Sequence, residues 1–215
     1  LSVSAMVSIQ HMLEVYDPQT LQPGDVLITN DPWLATGHLL DLTIVTPVFL
    51  NEKLAGFVVA VAHHMDIGGR KTTPDSREVY EEGLFIPVLK LYDAGQANDT
   101  LFRMIASNVR VPDMVVGDVH AQVTANALGA RRVVELLEEN GWETLNELGA
   151  AVLAKTEQAM RQAIERIPDG VYRGELVIDG IDHDLKLVAT VNVDGSEMSI
   201  DFTGTSPQVD RGINC

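Results

Sequence analysis

Two apolar runs rich in β-branched residues, 42–50 and 54–62, constrain the fold of this chain more than any other feature. Their length and composition are typical of β-strands, and only Asn51-Glu52-Lys53 separates them. We therefore predict a β-hairpin with a three-residue loop, in which Leu50 faces Leu54.

The segments around this hairpin carry weaker signals. Residues 2–15 have apolar positions at helical spacing, and residues 26–29 have the composition of a short strand. Residues 30–41 are predicted to form a loop. After the hairpin, residues 64–83 are polar and irregular, and residues 85–92 are predicted to form a strand with a proline near its start.

From about residue 99 the apolar period becomes helical. Gly117 is the candidate position for a break in the longest helix, and Gly141 is predicted to end that helix. The predicted helices are 100–109, 113–139 and 144–166. The tail returns to β-strands, which are predicted at 171–179, 185–193 and 197–202.

Together these elements predict a mixed α/β fold of the α+β type. It has a β-hairpin-rich front at 1–98, a helical middle at 99–167 and a β-rich tail at 168–215. The sequence does not begin with methionine, and it stops directly after a strand-like segment. We therefore expect a fragment of a longer polypeptide, in which the β-rich tail continues.

Composition excludes several classes of function. The formal net charge of −16 makes nucleic acid an improbable partner, because binding a polyanion requires cationic side chains. No apolar stretch reaches the roughly 18 residues of a membrane span, and the first residues do not resemble a signal peptide. The single cysteine, Cys215, excludes a disulfide framework, so we expect a reducing, cytoplasmic environment.

Polar side chains cluster where the two hairpin strands meet their flanking loops. Extending the pairing of Leu50 with Leu54 along both strands places Asp41 opposite His63, with Cβ atoms about 4.5–5.5 Å apart. His38 precedes Asp41 by three residues and can fold back to join them. Two imidazoles and one carboxylate are a donor set typical of a catalytic metal site with open positions.

Spacing alone leaves other interpretations open. The same three side chains could form hydrogen bonds without an ion, or the register could differ through a bulge. His64 would point to the opposite face of the strand from His63. We therefore treat His64 and Asp66 as candidates for residues that support the metal ligands or that lie on the substrate side of the site.

The sequence contains none of the common nucleotide or nucleophile motifs. It has no GxxxxGK[ST] loop, no GxGxxG after a strand and no GxSxG elbow. An ATP site or a serine nucleophile of these types is therefore not predicted within this chain.

Six blocks of sequence carry a recognisable pattern. They are GDVLITNDPW…TGHLLDLTIVTPVF, VAHHMDIGGR, EVYEEGLFIPVLKLY, NVRVPDMVVGDVHAQVTANALGARRVVEL, IPDGVY and IDFTGTSPQV. Together, and in this order, they resemble the hydantoinase B family, which includes the B-type half of 5-oxoprolinases and the large subunits of acetone and acetophenone carboxylases. The resemblance runs from Gly24 to Gln208 and is specific for the family rather than for one substrate.

This resemblance implies a partner and a cofactor. Such proteins work with an A-type subunit that binds ATP and is thought to phosphorylate the substrate carbonyl, so we expect a hetero-oligomer. In the acetone carboxylase branch the related subunit holds a divalent metal through positions that match His38, Asp41 and His63. Manganese, zinc and iron suit this donor set about equally. Asn30 and Asp31 lie in the same blocks and are expected to line the substrate pocket.

The expected activity is ATP-dependent hydrolysis of a cyclic amide such as a hydantoin or 5-oxoproline. In that reaction His64 or Asp66 is the expected proton-transfer group. Two alternatives remain open from the sequence. The same scaffold could serve in ketone carboxylation, which requires bicarbonate, or it could be a non-catalytic subunit that only stabilises its A-type partner.

Overall fold

The computed structural model describes residues 2–70 and 73–212. It combines helices with two antiparallel sheets, which confirms the predicted α+β fold class. The chain forms two compact units, one built from residues 2–145 with 211–212 and the other from residues 146–210. Cys215, on which the expected reducing environment depended, lies outside the described residues.

A five-stranded antiparallel sheet is the centre of the first unit. Its strands are β1 (Val26–Thr29), β2 (Asp41–Leu50), β3 (Lys53–His63), β4 (Leu89–Asp93) and β5 (Gln96–Ala97). Their order in the sheet is β3-β2-β1-β4-β5, so the long hairpin of β2 and β3 forms one side of the sheet.

Helices supply the apolar side chains that cover both faces of this sheet. The first unit contains α1 (Ser2–Val15), a short α2 (Val79–Glu82), α3 (Asp99–Asn108) and α4 (Pro112–Asn140). Because side chains alternate along a strand, Ile44 joins the cluster of apolar residues from α3 and α4, whereas Val45 joins the cluster that contains Met12 of α1. The hairpin is therefore held between α4 and α1.

The hairpin turn differs from its prediction. Leu50 pairs with Lys53, so the loop has two residues rather than three, and the predicted pairing of Leu50 with Leu54 is wrong. Asn51 and Glu52 both have positive φ angles, 50° and 66°. This geometry matches the two-residue turns that suit the right-handed twist of paired strands.

A bulge in β3 then offsets the shorter turn. Phe49 pairs with Leu54, but the next pair is Val48 with Gly56, so Ala55 is an extra residue in β3. From there to the open end the pairing follows the predicted register. The structure therefore confirms the predicted pairing of residues 41 and 63, although two local deviations produce it.

Other elements were predicted at the right places but differ from the prediction in detail. The helix α4 continues through Gly117 without a break and ends at Gly141, whose φ of 67° is left-handed. The predicted strand at 85–92 begins only at Leu89, because the backbone of Ile86 bonds to residues 29 and 30 instead. The short helix α2 forms within a segment that was predicted to be irregular.

The second unit consists of one helix, α5 (Asn146–Ile164), and three strands, β6 (Gly170–Ile178), β7 (Leu185–Asp194) and β8 (Glu197–Asp201). The strands form an antiparallel sheet of order β6-β7-β8. The predicted helical middle is divided between the units, because α4 packs on β2 and β3 whereas α5 contacts β8. None of the helices in the described ranges is long and apolar enough to cross a membrane.

Candidate metal centre

Three predicted side chains meet at the open end of the hairpin. Asp41 is the first residue of β2 and His63 is the last residue of β3. The Asp41 Oδ1 atom lies 2.6 Å from His63 Nδ1, and Asp41 Oδ2 lies 3.2 Å from His38 Nδ1. One possible ligand atom from each residue lies within 4.8 Å of the other two. The structure therefore brings His38, Asp41 and His63 together as one cluster.

The loop before β2 brings His38 to this position. Gly37 has a φ of 89°, a conformation that favours glycine, and the backbone bends there just before His38. The backbone N–H of Asp41 then donates to the carbonyl oxygen of His38 at 3.2 Å. This local turn places His38 beside the two strand residues, and its ring meets the His63 ring edge-on with centroids 6.0 Å apart.

Exposure and charge in the cluster suit a cation. The side chains of His38 and His63 are 49% and 59% exposed, whereas that of Asp41 is only 13% exposed. Burial opposes ionisation of Asp41, but hydrogen bonds from neighbouring side chains, including both histidines, outweigh it and lower its pKa. An ionised carboxylate between two accessible imidazoles is a donor set that fits a divalent first-row metal.

A second carboxylate lies close enough to this cluster for charges to interact. Burial raises the pKa of Glu82, and the charge of His38 opposes that rise. Glu82 belongs to α2, which follows His38 by more than forty residues. Glu82 lies in the segment 64–83, which the sequence analysis described only as polar and irregular, and no sequence pattern connects this acid to the histidines.

His64 is directed to the other face of the hairpin, as predicted. Its ring is buried, and Nε2 lies 2.8 Å from the Gln122 Oε1 atom on α4. The backbone N–H of His64 donates to the carbonyl oxygen of Leu40. His64 therefore lies behind the cluster rather than in it. Gln122 was not identified from the sequence, since a buried amide in a helix has no distinctive local pattern.

Asp66 is buried and fully engaged by hydrogen bonds. It accepts from the backbone N–H groups of Gly68 and Arg110, and the Arg110 guanidinium lies 2.7 Å from Oδ1. Burial opposes ionisation of Asp66, but these bonds outweigh it and lower its pKa. This environment suits a carboxylate that holds the segment after the hairpin in place.

Asn30 and Asp31 organise the loop between β1 and β2. The buried Asn30 amide donates to the carbonyl oxygens of Leu39 and Leu84, and its Oδ1 accepts from the Ile86 N–H. Asp31 caps the next turn by accepting from the Trp33 N–H at 3.0 Å. Within the described part of the chain, neither the Asn30 nor the Asp31 side chain belongs to the cluster of His38, Asp41 and His63.

Comparison with known proteins identifies relatives both by sequence and by structure. The chain is 39% identical over 209 residues to the B-type subunit of a putative D-/L-hydantoinase from Pseudomonas sp. strain NS671, and the match covers 91% of this chain and 35% of that protein. It superposes on the crystal structure of the ATP-dependent caprolactamase from Pseudomonas jessenii with a TM-score of 0.84 and 28% identity, covering 97% of this chain and 37% of that one.

A third protein shares the fold. The nucleotide-free structure of an acetone carboxylase matches with a TM-score of 0.83 at 17% identity, covering 97% of this chain and 30% of that chain. This chain thus spans about a third of the length of each of these three proteins. The family described as Hydantoinase B/oxoprolinase matches residues 2–215. The chain therefore belongs to the hydantoinase B/oxoprolinase family.

Proposed function

We propose that the protein containing this chain is the B-type subunit of an ATP-dependent cyclic-amide hydrolase that opens a hydantoin or 5-oxoproline ring. We further propose that His38, Asp41 and His63 hold a divalent metal, manganese, zinc or iron. The observation that carries this proposal is the convergence of these three side chains within 4.8 Å at one accessible end of the hairpin. Hydantoin and caprolactam, which appear in the names of the relatives, are both cyclic amides.

In this proposal each residue has a defined task. A bound metal would supply Lewis acidity and activate water at neutral pH. Asp41 stays ionised and keeps both imidazoles oriented through its two oxygens. His64 remains the candidate for proton transfer, since the Asp66 carboxylate already accepts three hydrogen bonds and is a weaker base with its lowered pKa.

The ATP chemistry is assigned to a partner. The chain carries none of the common phosphate-binding motifs, and the caprolactamase relative is described as ATP-dependent. We therefore propose a cytoplasmic hetero-oligomer with an A-type, ATP-binding subunit. Phosphorylation of the amide oxygen by that subunit would give an imidate phosphate. Addition of water to its carbon and departure of the protonated ring nitrogen would open the ring, and hydrolysis of the resulting acyl phosphate would release the free acid and inorganic phosphate.

Ketone carboxylation is the second candidate. It is favoured by the fold shared with acetone carboxylase, but that likeness rests on 17% identity, whereas the caprolactamase and hydantoinase relatives are 28% and 39% identical. A third possibility is a subunit that only stabilises its partner. The two enzymatic candidates differ in whether bicarbonate is required.

Elemental analysis is the first test. We expect near-stoichiometric manganese, zinc or iron in the full-length protein and its loss in Asp41→Ala, with folding checked by circular dichroism. His11→Ala is the matched control, because His11 is a histidine on α1 that bonds to Glu14 outside the cluster. A well-folded wild-type protein that takes up none of these ions would refute the metal site.

Activity with the A-type partner is the second test. We expect ATP-dependent opening of hydantoin, 5-oxoproline or caprolactam, with a loss of about 100-fold or more in His38→Ala while the complex stays intact. Turnover of acetone only with bicarbonate would identify a carboxylase instead. Normal turnover in His38→Ala would favour the purely stabilising subunit.

A further inference from the structure

The side chain of Gln122 connects three points of the hairpin near the cluster. Its Nε2 donates to the carbonyl oxygen of Leu42 at 3.0 Å and to that of Ala60 at 3.2 Å. Its Oε1 lies 2.8 Å from His64 Nε2. Leu42 belongs to β2 and Ala60 to β3, so this one amide of α4 bridges both strands that carry ligands.

The orientation of this amide follows from its partners. A carbonyl oxygen can only accept, so the NH₂ group of Gln122 must face Leu42 and Ala60, and its oxygen must face His64. His64 Nε2 is then the donor, which selects the tautomer protonated at Nε2. His64 Nδ1 is left as a buried acceptor with no hydrogen-bond partner in the part of the chain that the structure describes.

Two of these contacts are made by residues adjacent in sequence to the metal-ligand candidates. Leu42 directly follows Asp41, and His64 directly follows His63. A change in the Gln122 contacts would therefore shift the relative position of the two strand ends at the place where the Asp41 carboxylate and the His63 ring meet. Ligand atoms must be placed to within a fraction of an ångström to bind a metal well.

We propose that Gln122 is a positioning residue for the cluster of His38, Asp41 and His63. It sets the spacing of Asp41 and His63 by bonding to both strands and by fixing the tautomer and orientation of the neighbouring His64. This inference rests on the proposed metal site and adds a residue that contacts none of the ligands directly.

Asn126 provides a matched control on the same helix. It is also a buried amide, and it donates to the Ile44 carbonyl oxygen at 2.9 Å and to Thr46 Oγ1 at 3.3 Å. Both of its partners lie on β2, farther from the open end of the hairpin. Asn126 therefore helps to attach α4 to the sheet but does not bridge the ligand-bearing strands.

The test measures metal affinity in the full-length protein by titrating the metal-free form with Zn²⁺ or Mn²⁺. In Gln122→Met, which preserves the size of the side chain, we expect the Kd to rise about tenfold, within the range for residues that support ligands. In Asn126→Leu we expect a change below about twofold, because substitutions at distant sites act independently of the cluster. Circular dichroism checks the fold of both variants.

Nitrogen NMR of ¹⁵N-histidine-labelled protein provides a readout that a purely structural role would not change. We expect His64 to show the tautomer protonated at Nε2 in the wild type and in Asn126→Leu, and to lose this signature in Gln122→Met. If Gln122→Met does not fold, Gln122→Asn keeps the amide but shortens it by one methylene, and we expect the same direction of change.

The outcomes separate the two proposals. Wild-type protein that binds metal, with an unchanged Kd in a folded Gln122 variant, would overturn the positioning role and leave the metal site intact. Equal losses of affinity in the Gln122 and Asn126 variants would likewise overturn it, since attachment of α4 would then explain the effect. Wild-type protein that binds no metal would overturn both proposals.

Discussion

Asp41 and His63 lie directly opposite each other on neighbouring strands, with Asp41 Oδ1 2.6 Å from His63 Nδ1. They are 22 positions apart in the sequence, so their meeting depends on the register of the whole hairpin. A slip of one residue in β3 would move His63 to the other face of the sheet. The turn and the bulge that set this register are therefore as important for the cluster as the side chains themselves.

A substitution in the turn between β2 and β3 should raise the stability of the protein. Glu52 has a φ of 66°, which strains a residue with a Cβ atom, and Asn-Gly is the preferred pair for such turns. We expect Glu52→Gly to raise the free energy of unfolding by about 0.5–1 kcal/mol. Urea denaturation measures the change, with Glu52→Ala as the control because alanine keeps the Cβ atom. An equal gain in both variants would show that the side chain, not the backbone strain, is responsible.

The hairpin illustrates how far sequence reasoning reaches. The apolar runs predicted both strands and the pairing of Asp41 with His63, because period and composition depend on local interactions. The turn length and the bulge at Ala55 could not be predicted, since neither the φ angles of the turn nor the hydrogen bond from the Leu145 N–H to the Ala55 carbonyl oxygen leaves a local pattern. The two errors cancel, and this is why the predicted register was nevertheless obtained.

The residues around the cluster were harder to predict from the sequence. Gln122 and Glu82 come from helices far along the chain, and neither belongs to a recognisable motif. Asn30 was assigned to a substrate pocket because it lies in a block shared with the family. Its three hydrogen bonds to backbone groups also give it a scaffold position, which depends on tertiary contacts that a single sequence does not reveal. Its place in a substrate pocket stays a prediction.

Removing the Asn30 side chain provides a test of that scaffold position. Asn30→Ala would leave the carbonyl oxygens of Leu39 and Leu84 and the Ile86 N–H without this partner, so we expect a loss of about 3 kcal/mol or more in stability. Thermal unfolding measures it. Asn140→Ala is the matched control, since Asn140 is exposed and donates only to a carbonyl of its own helix. Unchanged stability with a raised KM would favour the pocket role.

The segment after the hairpin depends on a close backbone approach at Gly68. Gly68 and Gly95 have nearly equal φ angles, 82° and 84°, but a Cβ atom on Gly68 would overlap the Asn108 carbonyl oxygen, whereas one on Gly95 would meet nothing within 4 Å. We expect Gly95→Ala to cost about 1–2 kcal/mol from the positive φ alone. Gly68→Ala should cost clearly more in chemical denaturation, and equal losses would contradict the steric argument.

A buried ion pair at the far end of the sheet predicts how stability depends on pH. Asp25 is fully buried and lies 2.9 Å from the Lys90 ammonium, and it also accepts from the N–H groups of Gln22 and Ala94. Burial opposes ionisation of Asp25, but these bonds outweigh it and hold its pKa below the usual 3.8. Burial likewise opposes charge on Lys90, but Asp93 and Asp25 raise its pKa above 10.5.

The direction of the effect follows from these shifts. A lowered pKa for Asp25 means that its contribution is fully present above the unfolded value of 3.8 and is lost as pH falls through the folded value. A raised pKa for Lys90 means that its contribution is lost only as pH rises past 10.5. Between about pH 5 and pH 9 the pair should therefore contribute a constant stability.

Replacing Asp25 by asparagine tests this pH dependence. We expect Asp25→Asn to lower the free energy of unfolding by about 3 kcal/mol at pH 7, because it leaves Lys90 without its buried partner. Below pH 4 the difference from the wild type should shrink, since the wild-type carboxyl is then losing its charge as well. Asp93→Asn is the matched control: Asp93 bonds to the same ammonium but is 68% exposed, so its loss should cost about 1 kcal/mol or less. A difference between Asp25→Asn and wild type that stays constant down to pH 2 would show that packing, and not charge, accounts for the role of Asp25.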